Sequence, residues 1–493
     1  MESCWLVIIV CFCLCMLLLK SLNPRNLPPG PLHLPIISNI LKLRTSFSKL
    51  EPILRNLHAK HGPIITFHFV SGPNIFIADH ALAHEALVQN GVVLADRPKF
   101  LSSKNHKSEK LSITTCSYGA TWRTLRRNLA STVVHTSRFR SFSGTRKRVL
   151  DNLLKRLKTD AEKNGCVMVM EHVRDAMFTL LVYMCFGEAV ETQKIQHIKH
   201  VQRSLMSGLA RFGALTFFPK LASCLFRKRW HELLHLRRAQ KHIFSHWVEQ
   251  RKHVCEKGDS ICYVDSLLKL RLPEENRELE EGEVVALCSE FLTGGTDTTS
   301  TALEWVMANL VKYSHIQQRV VEEIEKVVGG REKREVKEED LNKLAYLKAV
   351  ILEGLRRHPP SHFLVPHEVR EDVVLNGYLV PKNGSVNVMV AEIGWDQRVW
   401  EDPMAFKPER FLGSEFEGFD IIGRKEIKMM PFGVGRRACP AYNLAMLHLE
   451  YFVANLVWNF QWKASNGGSV DLSSKQEFTM VMKHPLQAQI YPR

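Results

Sequence analysis

Near its C-terminus the sequence reads Pro431-Phe432-Gly433-Val434-Gly435-Arg436-Arg437-Ala438-Cys439-Pro440-Ala441. Two glycines frame a loop that can pass close under a flat ligand, because glycine has no side chain to obstruct the approach. Pro440 suits the start of the apolar helix predicted over Tyr442 to Trp458. Cys439 should therefore lie at a helix N-terminus, where unpaired N–H groups and the helix dipole favour a thiolate. A buried structural cysteine is the simpler alternative, but the surrounding pattern is too particular for it.

A thiolate beneath a flat, acidic cofactor is the arrangement that ligates a haem iron. Arg437 adds a positive charge that can pair with a carboxylate of such a cofactor. The pattern Phe432-x-x-Gly435-x-Arg437-x-Cys439 resembles the haem-binding loop of the cytochromes P450, the haem-thiolate monooxygenases. The resemblance implies haem b as cofactor, Cys439 as the axial ligand of the iron, and Phe432, Gly433 and Arg437 in the binding loop. Ala441 stands where these loops usually have glycine, which bears on packing near the haem and not on ligation.

A second segment, Gly294-Gly295-Thr296-Asp297-Thr298-Thr299, lies inside a long apolar helix pattern. Two glycines in a helix interior cost roughly 1 kcal/mol each relative to alanine, and a buried aspartate is costlier still unless it is paired. Such a combination indicates a strained functional site, with a helix kink as the alternative. The segment resembles the oxygen-activation segment of the same family. The resemblance implies that Asp297 and Thr298 relay protons to dioxygen at the haem and that the glycines leave room for it.

Glu353 and Arg356 are three residues apart and so share one helix face. Alone they indicate only a surface ion pair, which contributes little to stability. Downstream, Trp400-x-x-Pro403-x-x-Phe406-x-Pro408-Glu409-Arg410-Phe411 follows at a spacing typical of the family. The resemblance implies a buried triad of Glu353, Arg356 and Arg410 with a structural role.

Trp122 and Arg126 share a helix face four residues apart. The resemblance implies that this pair holds a haem propionate, which a guanidinium suits by charge and by fork geometry. A plain basic helix face is the alternative. Both readings are compatible with a basic surface on the thiolate side of the haem that docks an acidic electron-donor protein. We predict that this surface consists of Arg123, Arg127, Arg146, Lys147 and Arg148.

The N-terminus carries an unbroken apolar run from Cys4 to Leu19. As a helix it spans roughly 24 Å, which a thin bilayer accommodates. Glu2 and the lack of a small-residue cleavage site argue against a cleaved signal peptide, and Lys20 and Arg25 place the rest of the chain in the cytosol. We therefore predict a membrane anchor over residues 1–20, a proline-rich hinge over 21–36, and a haem-containing catalytic domain over 37–493.

The remaining pattern predicts a mainly α fold with small β-sheets, the cytochrome P450 fold, preceded by one transmembrane helix. Two apolar β-branched runs, 64–70 and 74–78, predict a hairpin. Helical periodicity is found at 79–90, 119–135, 144–163, 168–186, 230–257, 280–312, 314–328 and 342–357. The apolar stretch Phe212 to Phe226 is followed by Arg227-Lys228-Arg229 and is either an interior loop or a second membrane contact.

The 493 residues carry a net charge of +16, with 45% hydrophobic and 24% charged residues. These values exclude a disordered chain and a polytopic membrane protein. The positive charge suits nucleic acid, an anionic membrane surface or an acidic protein. No motif supports nucleic acid, so we expect the other two partners.

The resemblance implies an endoplasmic reticulum enzyme that inserts one atom of O2 into a small lipophilic substrate. Electrons would come from NADPH through NADPH–cytochrome P450 reductase, and the chain has no dinucleotide-binding fingerprint of its own. A haem-thiolate isomerase or dehydratase acting on hydroperoxides is the alternative, although it would not need Asp297 and Thr298. The strained site argues against a non-enzymatic haem carrier. The substrate class stays open among fatty acids, terpenoids, phenylpropanoids and pigment catabolites.

Overall fold

The computed structural model describes residues 26–31, 47–69, 72–98, 111–188, 190–208, 226–255, 262–329, 334–413, 416 and 419–493. The predicted anchor (1–20), most of the predicted hinge (21–36) and residues 212–225 of the second apolar stretch lie outside these ranges. Within the described ranges, no helix combines the length and the apolar character that crossing a bilayer requires.

Thirteen α-helices occur among the described residues. They are α1 (Phe47–His61), α2 (His80–His84), α3 (Ala120–Thr132), α4 (Ser143–Asn164), α5 (Val169–Phe186), α6 (Thr192–Ser207), α7 (Arg227–Cys255), α8 (Tyr263–Leu268), α9 (Glu281–Lys312), α10 (Ser314–Val328), α11 (Ala345–Arg357), α12 (Val390–Gly394) and α13 (Tyr442–Asn459). A π-type turn, Glu85–Gln89, continues α2, and a 3-10 segment, Thr136–Phe142, follows α3.

The strands are short and form small sheets. They are β1 (Ile64–Phe69), β2 (Gly72–Ile77), β3 (Val167–Met168), β4 (Arg271–Leu272), β5 (Arg277–Glu278), β6 (His367–Glu368), β7 (Val373–Leu375), β8 (Tyr378–Val380), β9 (Ser385–Val388), β10 (Phe460–Ala464), β11 (Ser474–Gln476), β12 (Met480–Met482) and β13 (Gln487–Pro492). One sheet has the order β1-β2-β9-β6 and another β10-β13-β3; β4-β5, β7-β8 and β11-β12 are separate pairs. The predicted hairpin is the antiparallel pair β1–β2, and β9 joins β2 in parallel.

The long helix α9 passes through the main hydrophobic core and packs against α5, α7, α11 and α13. It begins with a capping box, in which the Glu283 carboxylate accepts the backbone N–H of Glu280 at 2.8 Å, so that one of the unpaired N–H groups of the first turn is satisfied. Because α13 directly follows the cysteine loop, the contact of α9 with α13 joins the two predicted functional segments in one core.

The prediction of a mainly helical fold with small sheets is confirmed, and most helix boundaries agree within a few residues. Two predicted helices are interrupted. The segment 79–90 divides into α2 and the π-type turn, with the Asp79 carboxylate accepting the N–H of Leu82 at 2.9 Å. The segment 119–135 ends at Thr132, and the chain then turns into the 3-10 segment.

Candidate active site

The cysteine loop is a tight turn closed by its own backbone. The N–H of Gly433 donates to the Met430 carbonyl at 3.0 Å, and the N–H of Cys439 donates to the Phe432 carbonyl at 2.8 Å. Gly435 has φ +69°, and a Cβ there would lie 2.0 Å from the Leu87 carbonyl oxygen of the π-type turn. Only glycine therefore permits this approach of the two backbones.

The electrostatic environment of Cys439 contains opposing contributions. The residue is partly accessible, but protein surrounds its sulfur. Burial therefore raises the pKa of the thiol above its usual value, although the Ala441 N–H and the Arg126 guanidinium oppose that rise. The helix α13 begins at Tyr442, so the helix start predicted to favour the thiolate acts through Ala441. That residue has φ −104° and ψ 20°, which an alanine adopts without the left-handed strain that demands glycine.

Three arginines converge on the loop, and in the described part of the chain their guanidiniums donate to carbonyl oxygens alone. Arg437 donates to the carbonyls of Ala95, Ile113 and Cys116 at 2.8, 3.1 and 2.6 Å. Arg97 donates to those of Thr114, Val365 and Pro366 at 2.9, 2.8 and 2.9 Å. Arg126 donates to the carbonyl of Ala438.

Arg97 is buried and Arg126 and Arg437 are half-buried, each next to neutral oxygens, which disfavours their charged form. Burial, with the neighbouring Arg437, lowers the pKa of Arg97 to about 9. Burial likewise lowers the pKa of Arg437 to about 10, and that of Arg126 falls below its usual value. An anionic ligand would relieve this cost. A thiol beside three such guanidiniums is a donor set that fits haem b, which carries two carboxylates.

Trp122 lies within the same cluster. Its indole N–H donates to the Ile113 carbonyl at 2.9 Å, and the Arg437 guanidinium lies 4.5 Å from the ring centroid. The structure thus brings Trp122, Arg126 and Arg437 together beside the cysteine loop. Their contact with a haem propionate stays a prediction.

Sequence reasoning missed two members of this cluster. Arg97 belongs to Ala95-Asp96-Arg97-Pro98, which is typical of the family, but the motif alone indicates no role for the side chain. His367 approaches the Leu94 carbonyl through Nδ1 at 2.6 Å, and burial together with Arg97 lowers its pKa to about 3, so it is neutral. No local pattern marks His367, because its partners lie far away in the sequence.

Asp297 lies on α9 and faces α5 and α6. Its Oδ1 is 2.9 Å from Nε of Arg174, although the N–H is not aligned for a hydrogen bond. Burial raises the pKa of Asp297, and the Arg174 charge opposes that rise. A small cavity of about 20 Å³ lies beside Asp297, which is room for about one water molecule. Its lining combines the polar side chains of Lys199, Gln202 and Arg203 with apolar ones such as Phe178 and Leu292.

The helix α9 continues without a break through this segment. The Thr298 hydroxyl donates to the Gly294 carbonyl at 2.7 Å. The two glycines differ in their surroundings: a Cβ on Gly294 would meet no atom within 4 Å, whereas one on Gly295 would lie 2.7 Å from Cδ1 of Leu181 on α5. Of the two glycines, only Gly294 therefore borders open space. Gly295 is needed because α9 packs too closely on α5 for a side chain at this position.

The predicted triad residues are in contact. Arg356 donates to both carboxylate oxygens of Glu353, and Arg410 Nε donates to Glu353 Oε1 at 3.2 Å. The Lys407 N–H donates to the same oxygen at 2.9 Å. The network thus joins α11 to the segment that precedes the cysteine loop.

The predicted basic surface needs a correction. Arg146 is 0% exposed, and it binds Glu338 at 2.8 Å and the Phe139 carbonyl at 2.7 Å. Lys147 pairs with Asp151 and Glu335, and Arg148 pairs with Glu188. Within the described ranges, Arg123 and Arg127 have no carboxylate partner and are exposed, and Arg436 lies near Arg123 because both stack on the Tyr118 ring. The exposed basic surface is therefore Arg123, Arg127 and Arg436.

One other group of potential metal ligands occurs in the described ranges, formed by Asp79, His80 and Asp396. The Arg398 guanidinium donates to Asp79 at 2.7 Å and to Asp396 at 2.6 Å. This cation already bridges the two carboxylates, so the group has a structural explanation.

A cysteine loop backed by buried guanidiniums, in a mainly helical fold with an acid and an alcohol on its central helix, defines the haem-thiolate class of protein. The comparison with known families is specific: the sequence profile described as Cytochrome P450 matches residues 28–491. The chain belongs to the cytochrome P450 family. It is a monooxygenase, and its cofactor is haem.

Several relatives are similar over nearly their whole length. The chain is 48% identical to "Cytochrome P450 89A9" of Arabidopsis thaliana, over 96% of this chain and 94% of that protein. It is 31% identical to isoflavone 2'-hydroxylase of Medicago truncatula, over 96% and 93%, and 30% identical to geraniol 8-hydroxylase of Catharanthus roseus, over 95% and 94%.

Among solved structures, a zebra fish cytochrome P450 with progesterone has a TM-score of 0.76 at 22% identity, over 90% of this chain and 99% of that chain. This likeness supports the fold. The family implies O2, a lipophilic substrate and a redox partner.

Proposed function

We propose that the chain is a monooxygenase anchored in the endoplasmic reticulum membrane, with its catalytic domain in the cytosol. It receives NADPH electrons through NADPH–cytochrome P450 reductase and oxygenates a small lipophilic molecule. The observation that carries the proposal is the packing of α9 against α13, because the acid–alcohol pair lies on α9 and the cysteine loop leads into α13.

Cys439 would hold the haem iron through its sulfur, and the bound haem would supply the activation of O2, which a thiolate ligand favours. Arg97, Arg126 and Arg437 would hold the haem carboxylates, because a guanidinium forms strong charged hydrogen bonds with a carboxylate. Asp297 would exchange protons, a role favoured by burial, which raises its pKa above the usual value. The Thr298 hydroxyl is fixed by its hydrogen bond to the Gly294 carbonyl. Its oxygen would receive and pass on the proton on the side of α9 where Gly294 borders open space.

The end of the hinge is attached to the catalytic domain. The Thr66 N–H on β1 donates to the Pro29 carbonyl at 2.8 Å, and the Leu379 N–H on β8 donates to the Asn26 carbonyl at 2.8 Å. A Cβ on Gly30 would lie 2.0 Å from the Thr66 carbonyl oxygen, so glycine is needed for this approach. A fixed hinge supports the proposal that the anchor holds the domain at a set angle to the membrane.

The exposed basic surface of Arg123, Arg127 and Arg436 supports docking of an acidic electron donor. Arg123 and Arg127 are on α3, whose inward side carries Arg126, and Arg436 is in the cysteine loop. An electron arriving here would enter beside the sulfur of Cys439. Exposed charges of this kind accelerate encounter with a complementary partner.

The substrate is proposed only by chemical class. The relatives named for hydroxylating geraniol and isoflavones support a small lipophilic substrate.

The deciding experiment combines the full-length chain with a plant reductase in vesicles. Product formation that requires both NADPH and O2, found by comparing plant metabolite extracts before and after incubation, supports the proposal. Product formed from a hydroperoxide without NADPH would instead establish the isomerase or dehydratase. The reduced carbon monoxide complex should have the red-shifted absorption of thiolate ligation, and Cys439→Ala should abolish it.

The location is tested separately. A variant lacking residues 1–20 should leave the microsomal fraction and keep its haem spectrum. Retention of the shortened chain in washed microsomes would contradict the assignment of the anchor to 1–20 and would favour a second contact such as 212–226.

A further inference from the structure

A second buried acid lies on the same helix as Asp297. Glu304 is 1% exposed, and its Oε1 accepts the Leu486 N–H at 3.0 Å. Within the described part of the chain, no Lys, Arg or His nitrogen lies within ion-pair distance of this carboxyl. A buried carboxyl without a cation in contact is driven toward its neutral, protonated form.

Glu304 and Asp297 face the same way. They are seven residues apart, which is close to two helical turns, or about 10 Å along the axis. Ser300 and Thr301 lie between them on this face. The Thr301 hydroxyl is 2.8 Å from the Thr479 hydroxyl, and the Ser300 hydroxyl donates to the Thr296 carbonyl at 2.8 Å. Hydroxyl groups therefore occupy the interval between the two acids.

The same charges act on both carboxyls. Arg174 of α5 stabilises the charged form of each, and Glu477 beyond β11 disfavours it. Arg203 of α6 acts on Asp297, and Lys475 of β11 acts on Glu304. Burial is the largest influence on Glu304 and raises its pKa to about 7. Glu304 thus exchanges a proton near neutral pH, within the electrostatic environment of Asp297.

We propose that Glu304 is the proton reserve that recharges Asp297 during turnover. A proton leaves the Glu304 carboxyl, passes along the hydroxyls of Ser300 and Thr301 with water, and arrives on the Asp297 carboxylate. Glu304 then regains a proton from solvent on the β11–β12 side, where Glu477 and Lys475 are exposed. No electrons move in this step. Glu304 acts through Asp297 and so is a positioning residue; the inference rests on the proposed monooxygenase function.

The competing explanation is structural, since Glu304 also attaches α9 to the chain before β13 through Leu486. Glu304→Gln separates the two roles, because the amide oxygen still accepts the Leu486 N–H but the side chain cannot release a proton. Glu304→Leu removes both. Glu450→Gln is the matched control, because burial also raises the pKa of Glu450 to about 7 and this acid lies elsewhere, on α13.

The first measurement needs no turnover. Infrared difference spectra of the haem-loaded protein should show the carbonyl band of a protonated carboxylic acid that disappears as the pH rises through about 7. Because Glu450 should contribute a band of the same kind, Glu304→Gln should remove one component of this absorption and Glu450→Gln a different component. If Glu304→Gln leaves every such band unchanged, Glu304 is not protonated and the inference is wrong, whatever the enzyme's activity.

The second measurement uses NADPH and reductase with no added substrate. It determines which fraction of the consumed O2 is released as hydrogen peroxide and which is reduced to water. Slower proton supply should raise the peroxide fraction in Glu304→Gln at least about threefold and remove its pH dependence near 7. Thr301→Val should act in the same direction. In an Asp297→Asn background, Glu304→Gln should add nothing.

Two results would overturn the inference: a wild-type peroxide fraction and pH profile in Glu304→Gln, or an equal rise in Glu450→Gln. If Glu304→Gln fails to fold, Thr301→Val decides the outcome by the same measure. A wild-type protein that consumes no NADPH with the reductase would contradict the proposed function instead, and the infrared titration would still report on Glu304.

Discussion

Arg356 and Glu353 form a bidentate ion pair with no exposure to solvent: Arg356 Nε donates to Oε2 at 2.7 Å and Nη2 donates to Oε1 at 2.8 Å, and both side chains are 0% exposed. The remaining Arg356 donors reach the carbonyls of Gly394 and Ala405. A buried pair of this kind adds little compared with an apolar pair, but it is costly to break, because without Arg356 the buried Glu353 carboxylate keeps only the longer contact with Arg410 and the Lys407 N–H.

We therefore expect Arg356→Leu to lower the free energy of unfolding by about 3–5 kcal/mol. The loss should appear as a lower midpoint in urea and a reduced yield of haem-loaded protein. Arg319→Leu is the control, since Arg319 and Glu409 form a pair at 2.6 Å whose side chains are about half exposed. That change should cost about 1 kcal/mol or less, and equal losses in the two variants would contradict the argument.

The position of Gly435 gives a prediction about the cysteine loop. Gly435 and Gly467 have nearly equal φ angles, +69° and +66°, but a Cβ on Gly435 would meet the Leu87 carbonyl oxygen at 2.0 Å, whereas one on Gly467 would meet nothing within 4 Å. Gly467→Ala should cost only the backbone strain, about 1–2 kcal/mol. Gly435→Ala should also displace the loop and abolish haem retention, measured as haem absorbance per protein. Comparable haem content in both variants would show that the clash is relieved.

Arg123 and Arg126, three residues apart on α3, should have separable effects on haem retention and on reduction by the reductase. Arg126 is turned toward the cysteine loop, and Arg123 is exposed on the basic surface. Loss of a charged hydrogen-bond donor to a carboxylate costs about 1.5–3 kcal/mol, so Arg126→Gln should weaken haem retention by roughly tenfold to a hundredfold. Arg123→Glu should keep the haem spectrum and slow reduction by the reductase. Haem transfer to apomyoglobin measures haem retention, and stopped-flow spectroscopy measures the rate of reduction. Haem loss in Arg123→Glu together with slow reduction in Arg126→Gln would contradict the assignment.

The features that could be predicted from sequence are those encoded by residues close together in the chain. The loop before Cys439 and the Gly294–Thr299 segment each combine unusual residues over a few positions. In the structure the loop leads into α13, and the second segment lies on α9, which packs against α13. Asp297's cation could not be predicted, because Arg174 lies on α5 and is brought to it only by the packing of two helices. Arg97 and His367 are likewise brought close to Arg437 and the cysteine loop by tertiary contacts between distant segments.

The error about Arg146 has a different origin. Linear clustering with Lys147 and Arg148 suggested one exposed basic surface. However, Arg146 is followed by Val149, Leu150 and Leu153 at helical spacing, and these residues form the buried face of α4. The periodicity was available in the sequence and places Arg146 inside, where Glu338 neutralises it. Charge density along a chain therefore needs to be read together with the helix face on which each charge falls.

The raised pKa of Glu304 predicts how stability depends on pH. Its usual pKa is 4.5, and burial raises the folded-state value to about 7. The folded protein therefore binds this proton more tightly than the unfolded chain. The contribution to stability is fully present below pH 4.5 and is lost as the pH rises to about 7, with a total of about 3 kcal/mol. Above that pH both states are deprotonated, and the contribution no longer changes.

Glu304→Gln should remove this slope, because the amide does not titrate and keeps the hydrogen bond from Leu486. Thermal midpoints measured between pH 5 and 8, in steps, test the effect against wild type: the two proteins should diverge in their pH dependence below about pH 7 and run parallel above it. Glu450→Gln should remove a second contribution of the same sign, since the Glu450 pKa is also about 7. The double variant should then have the flattest profile, because the two carboxyls lie on different helices and their effects should add. An unchanged slope in Glu304→Gln would mean that the carboxyl titrates normally in the folded protein.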